Sequence, residues 1–198
     1  MKAWLRICGL LAIGAAAVAW GAGVAPDLGG QPLAWQRDAW MGRPWTLWTS
    51  AWVHASGGSL VGNVLAMGAL SVLGAWLGLG AAAATALYVA WPLSTLGLLL
   101  WPEVTAYGGL GAPIHAAAMI LWAEMAWRSD AKAWSGAIFA GISIKLLAEH
   151  AWTQPVAFDP SWGANVVYAA HLTGAVAGAV CGLLAAGFSR FSRRPEKL

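Results

Sequence analysis

The stretch HLTGAVAGAVCG, from His171 to Gly182, has a glycine at every fourth position. Gly174, Gly178 and Gly182 fall on one face of a helix, since residues four apart lie one above the other. A helix face without side chains allows a second helix to approach closely, as small residues do where helices pack within membranes. The repeat therefore predicts tight helix packing, and by itself it indicates no chemistry.

A second stretch, GLGAPIHAAAM from Gly109 to Met119, supplies a suitable partner for this glycine face. Gly111, Ala112 and Ala116 form a face of small residues at the start of another apolar helix. Packing of the two faces would bring His171 against position 111. We therefore expect these two positions to lie close together.

The composition is that of a polytopic membrane protein. The 198 residues are 60% hydrophobic and only 10% charged, with a mean hydropathy of +0.64. So few polar groups cannot cover a soluble domain, and the fifteen tryptophans fit a membrane–water interface. Because the net charge of +3 is small, we expect the lipid bilayer as a partner and no nucleic acid. Cys8 and Cys181 lie within apolar segments, which argues against a structural disulfide.

Six apolar segments are each close to the ~20 residues that a helix needs to cross a bilayer. They cover roughly residues 3–24, 58–78, 80–101, 110–127, 133–151 and 165–188. We therefore predict an all-α fold in which residues 1–198 form one domain of six transmembrane helices. The Trp-rich stretch 43–58 precedes the second segment and is interpreted as an interfacial helix or a re-entrant loop.

The first segment has two interpretations. Lys2 and Arg6 stand at its start and small residues follow it, which is typical of a cleaved signal peptide. Its apolar run is long for a signal peptide, and this favours a retained helix.

The basic residues predict an orientation in the membrane. With a cytoplasmic N-terminus, eight of the eleven lie on the cytoplasmic side: Lys2, Arg6, Arg128, Lys132, Arg190, Arg193, Arg194 and Lys197. Arg37 and Arg43 lie on the other side, and Lys145 is within a helix. This distribution follows the positive-inside rule, and with six spans it predicts that both termini are cytoplasmic.

Several polar residues reach one depth in this orientation, at roughly the outer third of the membrane by a rise of about 1.5 Å per residue. These residues are His54, Asn63, Gly111, His115, Lys145, Glu149 and His171. Ionisable groups inside a bilayer are costly and suggest a functional site. Each has a simpler interpretation, since a single histidine can serve packing alone and Lys145 and Glu149 can neutralise each other four residues apart. Their convergence favours the functional interpretation.

Three motifs carry a resemblance to a known family. His54, Ser59 and Asn63 fall on a His–His–Asn signature of the second segment. GLGA, Gly109–Ala112, falls on a Gly-x-Ser-x signature, and AHLTGAVAG, Ala170–Gly178, falls on an Ala-His signature followed by a glycine repeat. Residues 40–188 thereby resemble the rhomboid family of intramembrane serine proteases. The resemblance implies a six-helix transmembrane bundle, and we expect neither a cofactor nor a metal.

Two further matches resemble the rhombosortase branch of that family. His115 stands four residues after the nucleophile position, and KLLAE, Lys145–Glu149, matches a Lys-x-x-x-Glu motif. The resemblance implies a multi-pass protein of a bacterial-type inner (plasma) membrane. It also implies client proteins with a C-terminal sorting signal made of Gly-Gly, a hydrophobic helix and a basic tail.

The family's nucleophile position is occupied by Gly111. A rhomboid serine at this position attacks the peptide carbonyl while a histidine, matched by His171, takes its proton. Asn63 matches an oxyanion donor, and Ser59 replaces a second histidine that also contributes to the oxyanion site. Since glycine supplies no oxygen, the resemblance implies a rhombosortase-like pseudoprotease that binds transmembrane segments of client proteins without cutting them.

Two other functions stay open at this stage. The chain could be an active intramembrane endopeptidase with another nucleophile, for which Ser59 and Thr105 are the candidates. It could instead form a metal or proton site. That site would be built from His54, His115, His171 and Glu149, whose histidines lack the HxxxH spacing of a single-helix metal motif.

Overall fold

The protein is mostly helical, in a computed structural model that describes residues 1–191. The helices are α1 (Lys2–Ala22), α2 (Thr46–Thr49), α3 (Gly57–Trp76), α4 (Ala81–Gly97), α5 (Gly111–Ala126), α6 (Lys132–Glu149) and α7 (Tyr168–Phe191). Short 3-10 helices, Ser50–Trp52 and Leu98–Leu100, follow α2 and α4. The strands are β1 (Trp35–Gln36), β2 (Ala106–Tyr107), β3 (Ala157–Asp159) and β4 (Ala164–Val166). The predicted cytoplasmic residues Arg193, Arg194 and Lys197 lie outside the described residues.

Four helices are long and apolar enough to cross a membrane. They are α1, α3, α7 and the segment Ala81–Leu100, which joins α4 to its 3-10 turn. These four coincide with the first, second, third and sixth predicted segments and suggest association with a membrane. The fourth and fifth segments form α5 and α6, but α5 has only 16 residues and α6 carries three charged ones. The count of six spans therefore stays a prediction.

The shortness of α5 follows from its position inside the bundle. Eleven of its 16 residues are buried. A helix enclosed by protein is stabilised by packing, so it need not present a full-length apolar surface to lipid. The criterion of a long, apolar helix therefore identifies membrane spans less well for α5 than for helices with more exposed surface.

The predicted packing of the glycine face of α7 on the small-residue face of α5 is confirmed. A Cβ atom at Gly174 would collide with the backbone of Ala112, and one at Gly178 would collide with the backbone of Ala116. A Cβ at Gly182 would lie 2.9 Å from the Cα of Ile120. Only glycine permits this approach, because a side chain on α7 would meet the backbone of α5. Backbone atoms cannot move aside as the end of a flexible side chain can.

Helix α1 is packed into the bundle. Trp4, Cys8, Leu11 and Ala15 are buried along one side of it. The indole of Trp4 fills a notch at Gly74 of α3, where a Cβ would collide with the ring, and its Nε1 donates to the carbonyl of Leu70 (3.3 Å). This packing favours the interpretation of α1 as a retained helix.

Two pairs of short strands hold the loops at one end of the bundle. β1 pairs antiparallel with β2, which matches Trp35 with Tyr107 just before α5. β3 and β4 form an antiparallel hairpin between α6 and α7. The stretch 43–58, predicted to be an interfacial helix or a re-entrant loop, contains α2 and a 3-10 turn. Helices α3, α5 and α7 all begin at this end, so their first turns come together there.

Candidate functional site

A small cavity of about 60 Å³ lies at the end of the bundle where α3, α5 and α7 begin. Five of the predicted site residues line it: His54, Ser59, Asn63, Gly111 and His171. The other three, His115, Lys145 and Glu149, surround His171 from α5 and α6. The structure thus brings together residues from four separate parts of the sequence, as the common depth of these residues predicts.

Gly111 and His171 are in direct contact. A Cβ atom at position 111 would lie 2.9 Å from both Nε2 and Cδ2 of His171. This separation is shorter than van der Waals contact, so the edge of the imidazole occupies the space of the absent side chain. The glycine therefore does more than omit a nucleophile, because it lets the histidine ring lie against the first turn of α5.

His171 is held on its other side by Glu149, the last residue of α6. Its Nδ1 lies 2.8 Å from one carboxylate oxygen of Glu149 and 3.0 Å from the other. A carboxylate accepts hydrogen bonds, so Nδ1 carries the proton and donates it. In neutral His171 the unprotonated nitrogen is then Nε2, which faces Gly111. This is the tautomer that a general base needs in a serine–histidine–acid triad.

Lys145 forms an ion pair with the same carboxylate of Glu149. The pairing of Lys145 and Glu149 agrees with the simple interpretation of their i,i+4 spacing. The carboxylate, however, contacts His171 as well, and the side chains of Glu149 and His171 are only 11% and 13% exposed. Glu149 is thus a positioning residue for His171 as well as a counter-ion for Lys145.

His115 lies beside His171 within the bundle. The two rings stack with centroids 4.3 Å apart and planes inclined by 18°. The Nδ1 of His115 donates to the carbonyl oxygen of Gly111 at 2.7 Å, one turn back along α5. Stacking on one face and the carboxylate at Nδ1 leave the His171 ring little freedom to rotate.

His54 and Asn63 form the opposite wall of the cavity. Asn63 Nδ2 donates to His54 Nε2 at 3.2 Å, since an amide nitrogen can only donate. His54 lies three residues before α3 begins, and burial lowers the pKa of its imidazole. Its Nε2 is therefore an unprotonated acceptor that orients the amide of Asn63.

Neither of the two alternative nucleophiles, Ser59 and Thr105, is placed as a catalytic nucleophile would be. Ser59 lines the cavity, but its hydroxyl donates to the carbonyl of Ser56 at 3.0 Å, within the N-terminal cap of α3. Ser56 in turn caps the helix by accepting from the backbone N–H of Ser59. Thr105 is exposed and lies outside the cavity lining.

The metal alternative has no ligand group among the described residues. Across residues 1–191, no three His, Cys, Asp or Glu side chains are arranged to hold a metal ion.

Two residues of the site have no signal in the sequence. The hydroxyl of Tyr107 donates to the carbonyl of Gly109 (2.7 Å) and accepts from the backbone N–H of Ala112 (3.0 Å), so it fixes the turn into α5. Burial raises the pKa of this hydroxyl. Trp162, in the turn between β3 and β4, covers the cavity and packs on Gly62 of α3. Tyr107 ends the two-residue strand β2 and Trp162 lies in a turn, and the positions of both depend on tertiary contacts.

The chain matches no protein-family model and no curated protein. Its function is therefore inferred from the site geometry and from the motif resemblance.

Proposed function

We propose that the chain is a rhombosortase-like pseudoprotease with six transmembrane helices, both termini in the cytoplasm, in a bacterial-type inner membrane. It binds transmembrane segments of client proteins in the way a rhomboid binds its substrates, and it does not cut them. The positive-inside distribution of basic residues supports the orientation, and four apolar helices support the membrane location.

The observation that carries this proposal is the pair Glu149–His171 directed at Gly111. The His171 ring is half-buried, holds its proton on Nδ1 and presents Nε2 to the position of the missing nucleophile. Glu149 already has Lys145 as its counter-ion, so its second contact, with Nδ1 of His171, serves the histidine rather than the charge of the carboxylate. The arrangement is that of a catalytic triad in which one member has no side chain.

The absence of the nucleophile argues against proteolysis. Glycine offers no oxygen to form an acyl-enzyme, and loss of the serine in a comparable triad removes a factor on the order of 10⁶ in kcat. Ser59 does not replace it, since its hydroxyl is bonded to the backbone at Ser56. Binding without cleavage is therefore the function that the site supports best.

A cross-linking experiment tests the binding part of the proposal. A photoreactive amino acid replaces Ser59 at the cavity wall, or Gly187 on α7 as a matched control outside the cavity lining. A client peptide with Gly-Gly, a hydrophobic helix and a basic tail should cross-link at position 59 and remain intact. Equal cross-linking at both positions would indicate contact with the lipid-facing surface only, and the proposed binding site would be wrong.

A further inference from the structure

A second, larger cavity lies at the opposite end of the bundle from His171. It has a volume of about 370 Å³ and is enclosed by the turn between α3 and α4 and by the C-terminal ends of α5 and α7. Arg128, Ser189 and Arg190 are among its polar lining residues, together with Glu124. Two arginine side chains, one from the turn after α5 and one from α7, thus converge on one cavity that the catalytic-like site does not use.

Each arginine has one contact that holds its side chain in place. Arg128 donates from Nη1 to the carbonyl of Leu77 at 3.1 Å, which fixes it at the end of α3. The guanidinium of Arg190 lies 5.2 Å from the ring centroid of Trp127. Each guanidinium has five N–H donors, so these contacts leave donors for a further acceptor.

An apolar groove continues from this cavity along the surface between α3 and α6. The groove has a volume of about 430 Å³ and shares Leu77, Met125 and Arg128 with the cavity. Its walls include Leu73 and Ile138. The combination of a basic cavity and an adjoining apolar groove has the polarity of an amphipathic molecule with an anionic head and a hydrocarbon tail.

Exposed tryptophans place this end of the bundle at the level of lipid headgroups. Trp76, Trp127 and Trp134 are 78%, 54% and 69% exposed, and all three are close to the cavity or the groove in sequence and space. Tryptophan is enriched at this depth because its ring is apolar and its N–H is polar. The molecules present at that depth in a bilayer are phospholipids.

We propose that this end of the bundle binds one anionic phospholipid, with its phosphate between Arg128 and Arg190 and an acyl chain in the α3–α6 groove. The cavity lining itself carries two positive charges, Arg128 and Arg190, and one negative, Glu124, while Asp130 lines the adjoining groove. Asp130 contacts Arg128 at 3.4 Å in an exposed ion pair, which is weak enough for a phosphate to compete. This site requires the membrane but is independent of the proposed pseudoprotease function.

Native mass spectrometry of the purified full-length chain tests the proposal. The protein is mixed with equal amounts of phosphatidylglycerol and phosphatidylcholine of the same acyl length, with or without inorganic phosphate. We expect phosphatidylglycerol to be retained preferentially, and Arg128→Gln or Arg190→Gln to weaken its binding about fivefold each. Arg6→Gln, which removes a charge from an exposed residue outside both linings, should leave it unchanged.

Two more variants separate the lipid from other occupants. Ile138→Trp fills the groove without changing charge and should weaken phosphatidylglycerol binding as well. Among the described residues, Arg190→Gln alters the contact with Trp127 and leaves the bond from Arg128 to Leu77 in place, so its result stands even if Arg128→Gln disturbs the α3–α4 turn. Equal binding by wild type, Arg190→Gln and Ile138→Trp would overturn the proposal. Displacement of the lipid by inorganic phosphate would identify a free anion as the occupant and overturn it equally.

Discussion

The lack of a side chain at Gly111 has two consequences: the position offers no nucleophilic oxygen, and the ring of His171 packs against the backbone there. The His171 ring edge lies where a Cβ would be, at 2.9 Å, so a serine placed there must push the ring back by a few tenths of an ångström. The far end of an imidazole can move that much more readily than a backbone can. A serine at 111 would then have its hydroxyl beside Nε2, the nitrogen that Glu149 leaves unprotonated.

This geometry predicts the role of Glu149 in a restored triad. In a Gly111→Ser background, Glu149→Gln should lower labelling by a fluorophosphonate roughly tenfold or more, because the amide no longer fixes the tautomer of His171. Glu124→Gln makes the same chemical change at the opposite end of the bundle and should have no effect. Equal labelling of the two double variants would mean that Glu149 serves only as the counter-ion of Lys145.

Part of this site could be predicted from single residues and part could not. The contact of His171 with position 111 follows from the glycine spacing, since three glycines fix which face of α7 meets α5. The hydrogen bond from His171 to Glu149 could not be predicted. The i,i+4 spacing pairs Glu149 with Lys145 but does not indicate which face of α6 is turned towards α7. Tyr107 lies in the two-residue strand β2 and Trp162 in a turn, and the direction of both side chains depends on tertiary contacts that no local pattern encodes.

Among the elements, the α5–α7 contact is the most sensitive to side-chain volume. Gly178→Leu would force a side chain into the backbone of Ala116 and should destabilise the protein by about 3 kcal/mol. Gly187→Leu, on the same helix with open space around it, should change stability by less than about 0.5 kcal/mol. Unfolding by SDS in mixed micelles measures both variants. Similar stabilities would show that the glycine face tolerates separation of the helices.

The loop between α1 and α2 is fastened to the end of α4 by Arg37. Its guanidinium donates to the carbonyl oxygens of Leu98 (2.9 Å), Trp101 and Val104 (3.1 Å). Arg37→Met should therefore destabilise the protein by about 2 kcal/mol in the same unfolding assay. Arg43→Met loses one bond to the side chain of Gln36 and should cost less. A larger loss in Arg43→Met would contradict this account of the loop.

For the whole molecule, the charge distribution predicts which end faces the cytoplasm. Ser161, in the β3–β4 turn, and Ser129, between α5 and α6, are exposed at opposite ends. In a background without Cys8 and Cys181, Ser161→Cys should react with a membrane-impermeant maleimide in intact cells. Ser129→Cys should react only after permeabilisation. The reverse pattern would invert the orientation. Labelling of both positions in intact cells would contradict the predicted membrane span of α6, which separates Ser129 from Ser161.

The helical fold and the four apolar helices long enough to cross a membrane could be predicted from composition, because a helix that faces lipid must be apolar along its whole length. The same rule is weaker for α5 and α6. Protein surrounds α5, and α6 carries Lys145 and Glu149 towards the site, so neither helix presents a long uncharged surface.

The most direct test of the pseudoprotease account compares wild type with Gly111→Ser in one assay. Purified proteins in lipid are incubated with a membrane substrate that ends in Gly-Gly, a hydrophobic helix and a basic tail, and cleavage is measured. The account predicts an intact substrate with wild type and detectable cleavage with Gly111→Ser, which His171→Ala then abolishes. Robust cleavage by the wild-type protein that is lost in His171→Ala would contradict it, since a working nucleophile would then lie elsewhere in the chain.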